Sequence, residues 1–137
     1  KQPKVAVLAA VETVNPMMPA TLDAAALTVM AARGQITGAL VDGPLAFDNA
    51  ISPEAVATKG IVSQVAGEAD ILLVPDLEAG NMLAKQLIYF AGATAAGLVL
   101  GARVPIVLTS RADPLSARIA SAALAKLVAV RKAEGKA

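Results

Sequence analysis

The stretch Lys4-Val5-Ala6-Val7-Leu8-Ala9-Ala10 is an apolar run with two valines, and a helical pattern follows over residues 21–33, closed by Gly34. A short apolar run followed by a helix that stops at a glycine reads as one strand and one helix. The unit recurs. Ile36-Thr37-Gly38-Ala39-Leu40-Val41-Asp42 is a second run, followed by a loop and then Ser52-Pro53-Glu54. There the serine is an N-cap candidate and the proline sits at the first helical position. Asp70-Ile71-Leu72-Leu73-Val74-Pro75 leads into a helical stretch from about 78 to 90 that continues through an Ala/Gly segment to Gly101. Val104-Pro105-Ile106-Val107-Leu108-Thr109 is the fourth run, and residues 114–132 read as the final helix.

Strand starts near 4, 37, 71 and 104 are spaced by close to 33 residues, the size of a βαβ crossover. That is also the period of some helical repeats, but no side-chain motif recurs with the spacing. Strands that read as continuous apolar runs belong in a parallel sheet covered on both faces by helices. The expected fold is a single α/β domain over residues 1–137, with a three-layer, mostly parallel open sheet.

The composition removes several chemistries. The chain has no His and no Cys, so disulfides, Cys/His zinc sites and Ser-His-Asp or Cys-His nucleophiles are excluded by inventory, and no metal site is expected. Twelve basic and eleven acidic residues leave a net charge of +1, with one Tyr and two Phe. A nucleic-acid binder would need a basic footprint or a stacking platform. Hydrophobic residues make up 56% of the chain, but 32 of them are alanines, which suit close packing as well as lipid. The longest uncharged stretch, residues 86–102, is 17 long with three glycines, short of the roughly 20 apolar residues of a spanning helix. No signal-peptide layout opens the chain, so a cytoplasmic protein is expected.

In open α/β sheets ligands bind beyond the carboxyl ends of the strands. The segments there, residues 11–19, 42–49, 75–85 and 109–113, hold most of the polar residues that solvent-facing helix sides do not explain. In Thr109-Ser110-Arg111-Ala112-Asp113-Pro114, a hydroxyl, a guanidinium and the amide donors of a helix start could together hold a phosphate. The plainer reading is that Asp113 caps the last helix and Arg111 is a solvated charge. After the third strand, Asn81 and Lys85 are four apart and share a helix face, and Gly80 allows close approach of a ligand or of backbone. A turn with an exposed Lys fits the same residues. Asp42 and Asp48 could serve proton transfer, whereas Asp42-Gly43-Pro44 is also an ordinary turn signal after a strand. Gly92, Gly97 and Gly101 read as close packing of a buried helix, since no glycine fingerprint of a dinucleotide loop follows a strand. The basic residues near the C-terminus suit the helix dipole.

The motifs Val41-Asp42-Gly43-Pro44-Leu45-Ala46-Phe47-Asp48, Lys59-Gly60-Ile61, 69–75, Ala79-Gly80-Asn81 with Lys85, and 105–113 occur in an order that resembles the C-terminal half of the phosphate acetyltransferase and phosphate butyryltransferase family. The Asp-Gly-Pro and Thr-Ser-Arg-Ala-Asp forms look closer to the butyryl branch, or to the transferase half of fusions with an enoyl-CoA hydratase domain. The resemblance implies a Rossmann-like domain of the isocitrate/isopropylmalate dehydrogenase-like fold. It implies reversible acyl transfer between coenzyme A and inorganic phosphate, with thiolate attack on an acyl phosphate held between two α/β domains. Coenzyme A is then a co-substrate and no tightly bound cofactor is expected. Arg111 would bind the phosphate, and Ser110 would hydrogen-bond the phosphate or the developing oxyanion. Gly80, Asn81, Lys85 and Asp42 would line the substrate site.

One position departs from the pattern. Acetyl-type members place a catalytic Asp seven residues after this Ser, where this chain has Ala117. Asp113 is the substitute candidate for the thiol base; alternatively the base lies elsewhere, or coenzyme A reacts as a thiolate formed in solution. Family members are also longer, so the chain is expected to supply one side of the cleft, with an N-terminal domain as its missing partner, a homodimer as its assembly, and little turnover alone. The competing readings are a non-catalytic α/β binding or dimerisation domain, and a nicotinamide dehydrogenase domain disfavoured by the absent fingerprint.

Overall fold

A computed structural model describes residues 2–135. The chain divides into two compact units on either side of the Met82–Leu83 bond. The first holds β1 (Lys4–Leu8), α1 (Pro19–Ala32), β2 (Leu40–Leu45), α2 (Phe47–Ile51), α3 (Pro53–Lys59), β3 (Ile71–Leu73) and the start of α4 (Leu77–Tyr89). The second holds the rest of α4, β4 (Leu98–Val99), β5 (Ile106–Val107) and α5 (Leu115–Ala133).

In the first unit the strands form a parallel sheet in the order β2-β1-β3. Ala6, Val7 and Leu8 are consecutive and at most 6% exposed. Side chains alternate across a strand, so both faces of β1 are covered, as the unbroken apolar run predicts. α1 ends as the sequence expects. Gly34 takes φ +74°, its N–H donates to the Ala31 carbonyl at 3.0 Å, and the Gln35 N–H reaches the Met30 carbonyl at 2.8 Å. This double closure satisfies carbonyls that the last turn would otherwise leave bare. α3 starts on Ser52, whose hydroxyl accepts the Ala55 N–H at 3.3 Å. It ends on Gly60 at φ +65°.

Three features differ from the sequence reading. The second strand lies later than residues 36–42 and runs through Asp42-Gly43-Pro44, which is therefore not a turn. Between the Ala6–Asp42 and Leu8–Leu45 pairs β1 advances two residues and β2 three. This bulge accommodates the cis Gly43-Pro44 bond on an outer strand of the sheet, where a missing N–H is tolerated. A Cβ on Gly43 would sit 2.6 Å from the Val7 carbonyl oxygen and 3.3 Å from Ala24 Cβ, so α1 and β1 close on β2 only at a glycine.

The helix expected to reach Gly101 stops at Tyr89. Gly92 and Gly101 take φ +66° and +83°, a left-handed region that ends helices. The glycines are thus turn residues, not the packing face of a buried helix. Gly97 alone makes a close contact: a Cβ there would collide with the Leu108 carbonyl oxygen. Finally, the fourth apolar run does not join the parallel sheet. Only Ile106–Val107 is extended, paired antiparallel with Leu98–Val99. With an exposed strand and a following helix in which Ala117 and Ser121 are the buried residues, the second unit has a small core. Among the described residues no helix is long and apolar enough to cross a membrane.

Candidate active site

The order β2-β1-β3 makes connections leave in opposite directions from the central strand, and the switch lies at the carboxyl ends of β1 and β3. Residues 9–18 follow β1 there, and residues 74–76 follow β3. Asp76 Oδ1 accepts the Ala79 N–H at 2.7 Å and so starts α4. Gly80 stands in its first turn, where a Cβ would come within 2.7 Å of Val74 Cγ2. The glycine thus serves helix-on-strand approach, and the next residue, Asn81, is exposed. Asp42 is on β2, at the opposite edge of the sheet from β3, and its Oδ1 accepts the Gly43 N–H at 2.9 Å. It borders an open depression of about 430 Å³ that residues 62–65 also line. The sheet therefore separates Asp42 from Gly80 and Asn81.

In the second unit Ser110, Arg111 and Asp113 share one loop between β5 and α5. Asp113 Oδ2 accepts the Ser110 N–H at 2.6 Å, and the Asp113 N–H donates to the Ser110 carbonyl at 3.1 Å. Asp113 does not cap the helix; the N-cap is Pro114, without a side-chain hydrogen bond. Ser110 Oγ accepts the Ala112 N–H at 3.4 Å, which leaves its proton free to donate. The Arg111 carbonyl accepts from Arg118 Nη2 at 3.3 Å, while its exposed guanidinium has no partner among the described residues. Lys85 lies on α4 with its ammonium 5.9 Å from the Tyr89 ring centroid. Ala117, at the position of the acetyl-type Asp, is 4% exposed.

One cluster escaped the sequence reading as a unit. The Lys59 ammonium, at the end of α3, lies 3.1 Å from Asp48 Oδ2 and 3.5 Å from Glu12 Oε2. Asn49 Nδ2 donates to the same Glu12 oxygen at 3.2 Å. Glu12 is held below its usual range, first by its own backbone N–H and then by Asn49 and Lys59. Asp48 is lowered chiefly by Lys59, and Lys59 is raised chiefly by Asp48. These partners are 11 to 47 residues apart in the chain, beyond the reach of local pattern.

The parallel three-strand sheet with its helices is that of the phosphotransacylase class. A branched-chain phosphotransacylase from Enterococcus faecalis superposes over 91% of this chain and 45% of its own, with TM-score 0.80 and 42% identity. Residues 1–126 match the family described as phosphate acetyl/butaryl transferase, and the chain belongs to it. A phosphate acetyltransferase of Rickettsia felis is 67% identical over 93% of this chain and 37% of its own length. A probable phosphate butyryltransferase of Bacillus subtilis is 62% identical over 90% and 41%. The chain thus spans about two fifths of the curated relatives it matches.

Proposed function

We propose that this chain supplies one side of the cleft of an enzyme that moves an acetyl, butyryl or similar acyl group between coenzyme A and inorganic phosphate. In one direction the coenzyme A thiolate attacks the carbonyl carbon of an acyl phosphate; the C–S bond forms, the C–O bond breaks, and phosphate leaves with the electron pair. Arg111 binds the phosphate through its forked donors, and the Ser110 hydroxyl donates to the phosphate or to the developing oxyanion. Asp113 closes the loop with one carboxylate oxygen and takes the thiol proton with the other. Asn81 and Lys85 on α4 contact the acyl-CoA substrate, with no tightly bound cofactor; Gly80, packed against Val74, and Asp42, at the far edge of the sheet, have no part in that contact.

The observation that carries this reading is the Arg111 guanidinium, raised on a loop that Asp113 closes and engaged by no other side chain among the described residues. The missing partner is an N-terminal domain of the same enzyme, consistent with the share of the relatives that the chain covers. A homodimer belongs to the same reading, since Leu100, Leu115 and Ile119 are 81%, 72% and 60% exposed. So does a cytoplasmic location.

The test joins this chain to an N-terminal half of the kind its relatives carry and assays acetyl-, butyryl- and longer acyl-CoA with phosphate. Acyl phosphate should form with the joined protein and hardly at all with the chain alone. Robust turnover by the chain alone contradicts the half-site, and an inactive joined protein contradicts the reaction.

A further inference from the structure

The cluster around Lys59 has no part in that mechanism, yet it gathers the connections at the carboxyl end of the sheet. Glu12 belongs to the segment after β1, while Asp48 and Asn49 open α2 directly after β2. One ammonium at the end of α3 thus reaches both connections. Asn49 is 0% exposed and its Oδ1 has no hydrogen-bond partner. Its amide nitrogen points to the Glu12 carboxylate, the orientation a buried amide takes when the carboxylate is its best acceptor.

The segment after β1 is anchored at both ends independently of this cluster. The Ala9 N–H donates to the Leu45 carbonyl at 2.9 Å. The Asn15 N–H donates to the hydroxyl of fully buried Thr21 at 2.9 Å, and that hydroxyl donates back to the Asn15 and Met18 carbonyls. Between these anchors Glu12 supplies the side-chain tether, and neighbouring Val14 is 55% exposed. Isolated pairs of partly exposed charges contribute little to stability. A network whose members come from three separate elements is better explained by the shape it imposes.

We infer that Lys59 is a positioning residue, holding residues 10–14 through Glu12 and the start of α2 through Asp48 so that the acyl-CoA substrate meets a preformed surface at the carboxyl end of β1. The part concerning acyl-CoA rests on the proposed function; the tether does not. Displacement of about 1 Å by a change outside the reacting atoms can lower a rate about 100-fold, so the expected effect is large.

The experiment has two arms. In this chain, hydrogen exchange is compared between wild type, Lys59→Met and Lys59→Arg. Exchange at residues 10–14 should rise at least tenfold in Lys59→Met, with β1 and β3 unchanged, and return toward wild type in Lys59→Arg, whose fork reaches both carboxylates. In the joined protein, Lys59→Met should lower kcat by roughly 10- to 100-fold, with the phosphate KM unchanged and recovery in Lys59→Arg. Glu12→Gln, which leaves the Lys59–Asp48 pair intact, should loosen the same segment and replaces Lys59→Met if that variant does not fold. Unchanged exchange overturns the tether, and loosened exchange with unchanged kcat overturns the positioning role. Inactivity of the wild-type joined protein strikes instead at acyl transfer, and exchange then decides the tether by itself.

Discussion

The Asp113 carboxylate accepts the Ser110 backbone N–H at 2.6 Å while the Asp113 N–H returns a bond to the Ser110 carbonyl at 3.1 Å. The two bonds close a four-residue loop with Arg111 and Ala112 at its tip. Asp113 is therefore asked to do two things, shape the loop and take a proton, and substitutions separate them. Asp113→Asn keeps an acceptor for the Ser110 N–H but removes the base; kcat should fall by about 10²- to 10⁴-fold with little change in the phosphate KM. Asp113→Ala should add a rise in that KM. If Asp113→Asn keeps full activity, Asp113 is only a brace.

Ser52 offers a test of local stability away from the chemistry. Its hydroxyl accepts the Ala55 N–H at 3.3 Å at the start of α3. Ser52→Ala should cost about 1 kcal/mol in urea unfolding.

At Gly43 a Cβ would lie 2.6 Å from a backbone oxygen of Val7, and backbone in the central strand cannot move away cheaply. Gly43→Ala should destabilise the chain by about 1–3 kcal/mol, measured by denaturant midpoint. Gly38, at φ +87° but with nothing within 4 Å of an added Cβ, should give a smaller loss for the same change.

Acid should act through Glu12 and Asp48. Both are depressed below their ordinary values of 4.5 and 3.8 in the folded chain. A carboxyl whose folded value is lowered contributes stability that is fully present above its unfolded value and is lost as pH falls through the folded one. Removing the ammonium lets both values rise toward ordinary. In pH titrations of folding, Lys59→Met should therefore lose the part of the acid limb that Lys59 supplies, mainly at Asp48, becoming less stable than wild type at neutral pH while the two curves converge at low pH. A constant difference at all pH values would contradict the pairing.

Much of the first unit was legible because local rules and tertiary needs agree there. The centre of the 4–10 run is buried on both faces, Gly34 sits at a helix end in left-handed conformation, and Ser52-Pro53 starts a helix as such pairs do. The second unit was less so. The Ala/Gly segment after residue 90 has helical composition, but positive φ at Gly92 and Gly101 breaks it, and composition alone does not distinguish a packing glycine from a turning one. Asp42-Gly43-Pro44 misled for a related reason. The same residues that favour turns also serve where strands need a bulge and a missing Cβ. In the candidate site the Ser110–Asp113 loop was visible by adjacency, whereas the Lys59 cluster depends on contacts between distant segments.

The most direct measurement is the phosphate dependence of acyl phosphate formation from acyl-CoA by the joined protein, compared between wild type and Arg111→Ala. A charge-assisted hydrogen bond contributes about 1.5–3 kcal/mol, so the predicted result is a loss of roughly 10- to 100-fold in kcat/KM for phosphate, with Lys in place of Arg recovering only part of it. An Arg111→Ala protein with unchanged rate and unchanged phosphate dependence would contradict the assignment of this loop as the phosphate site.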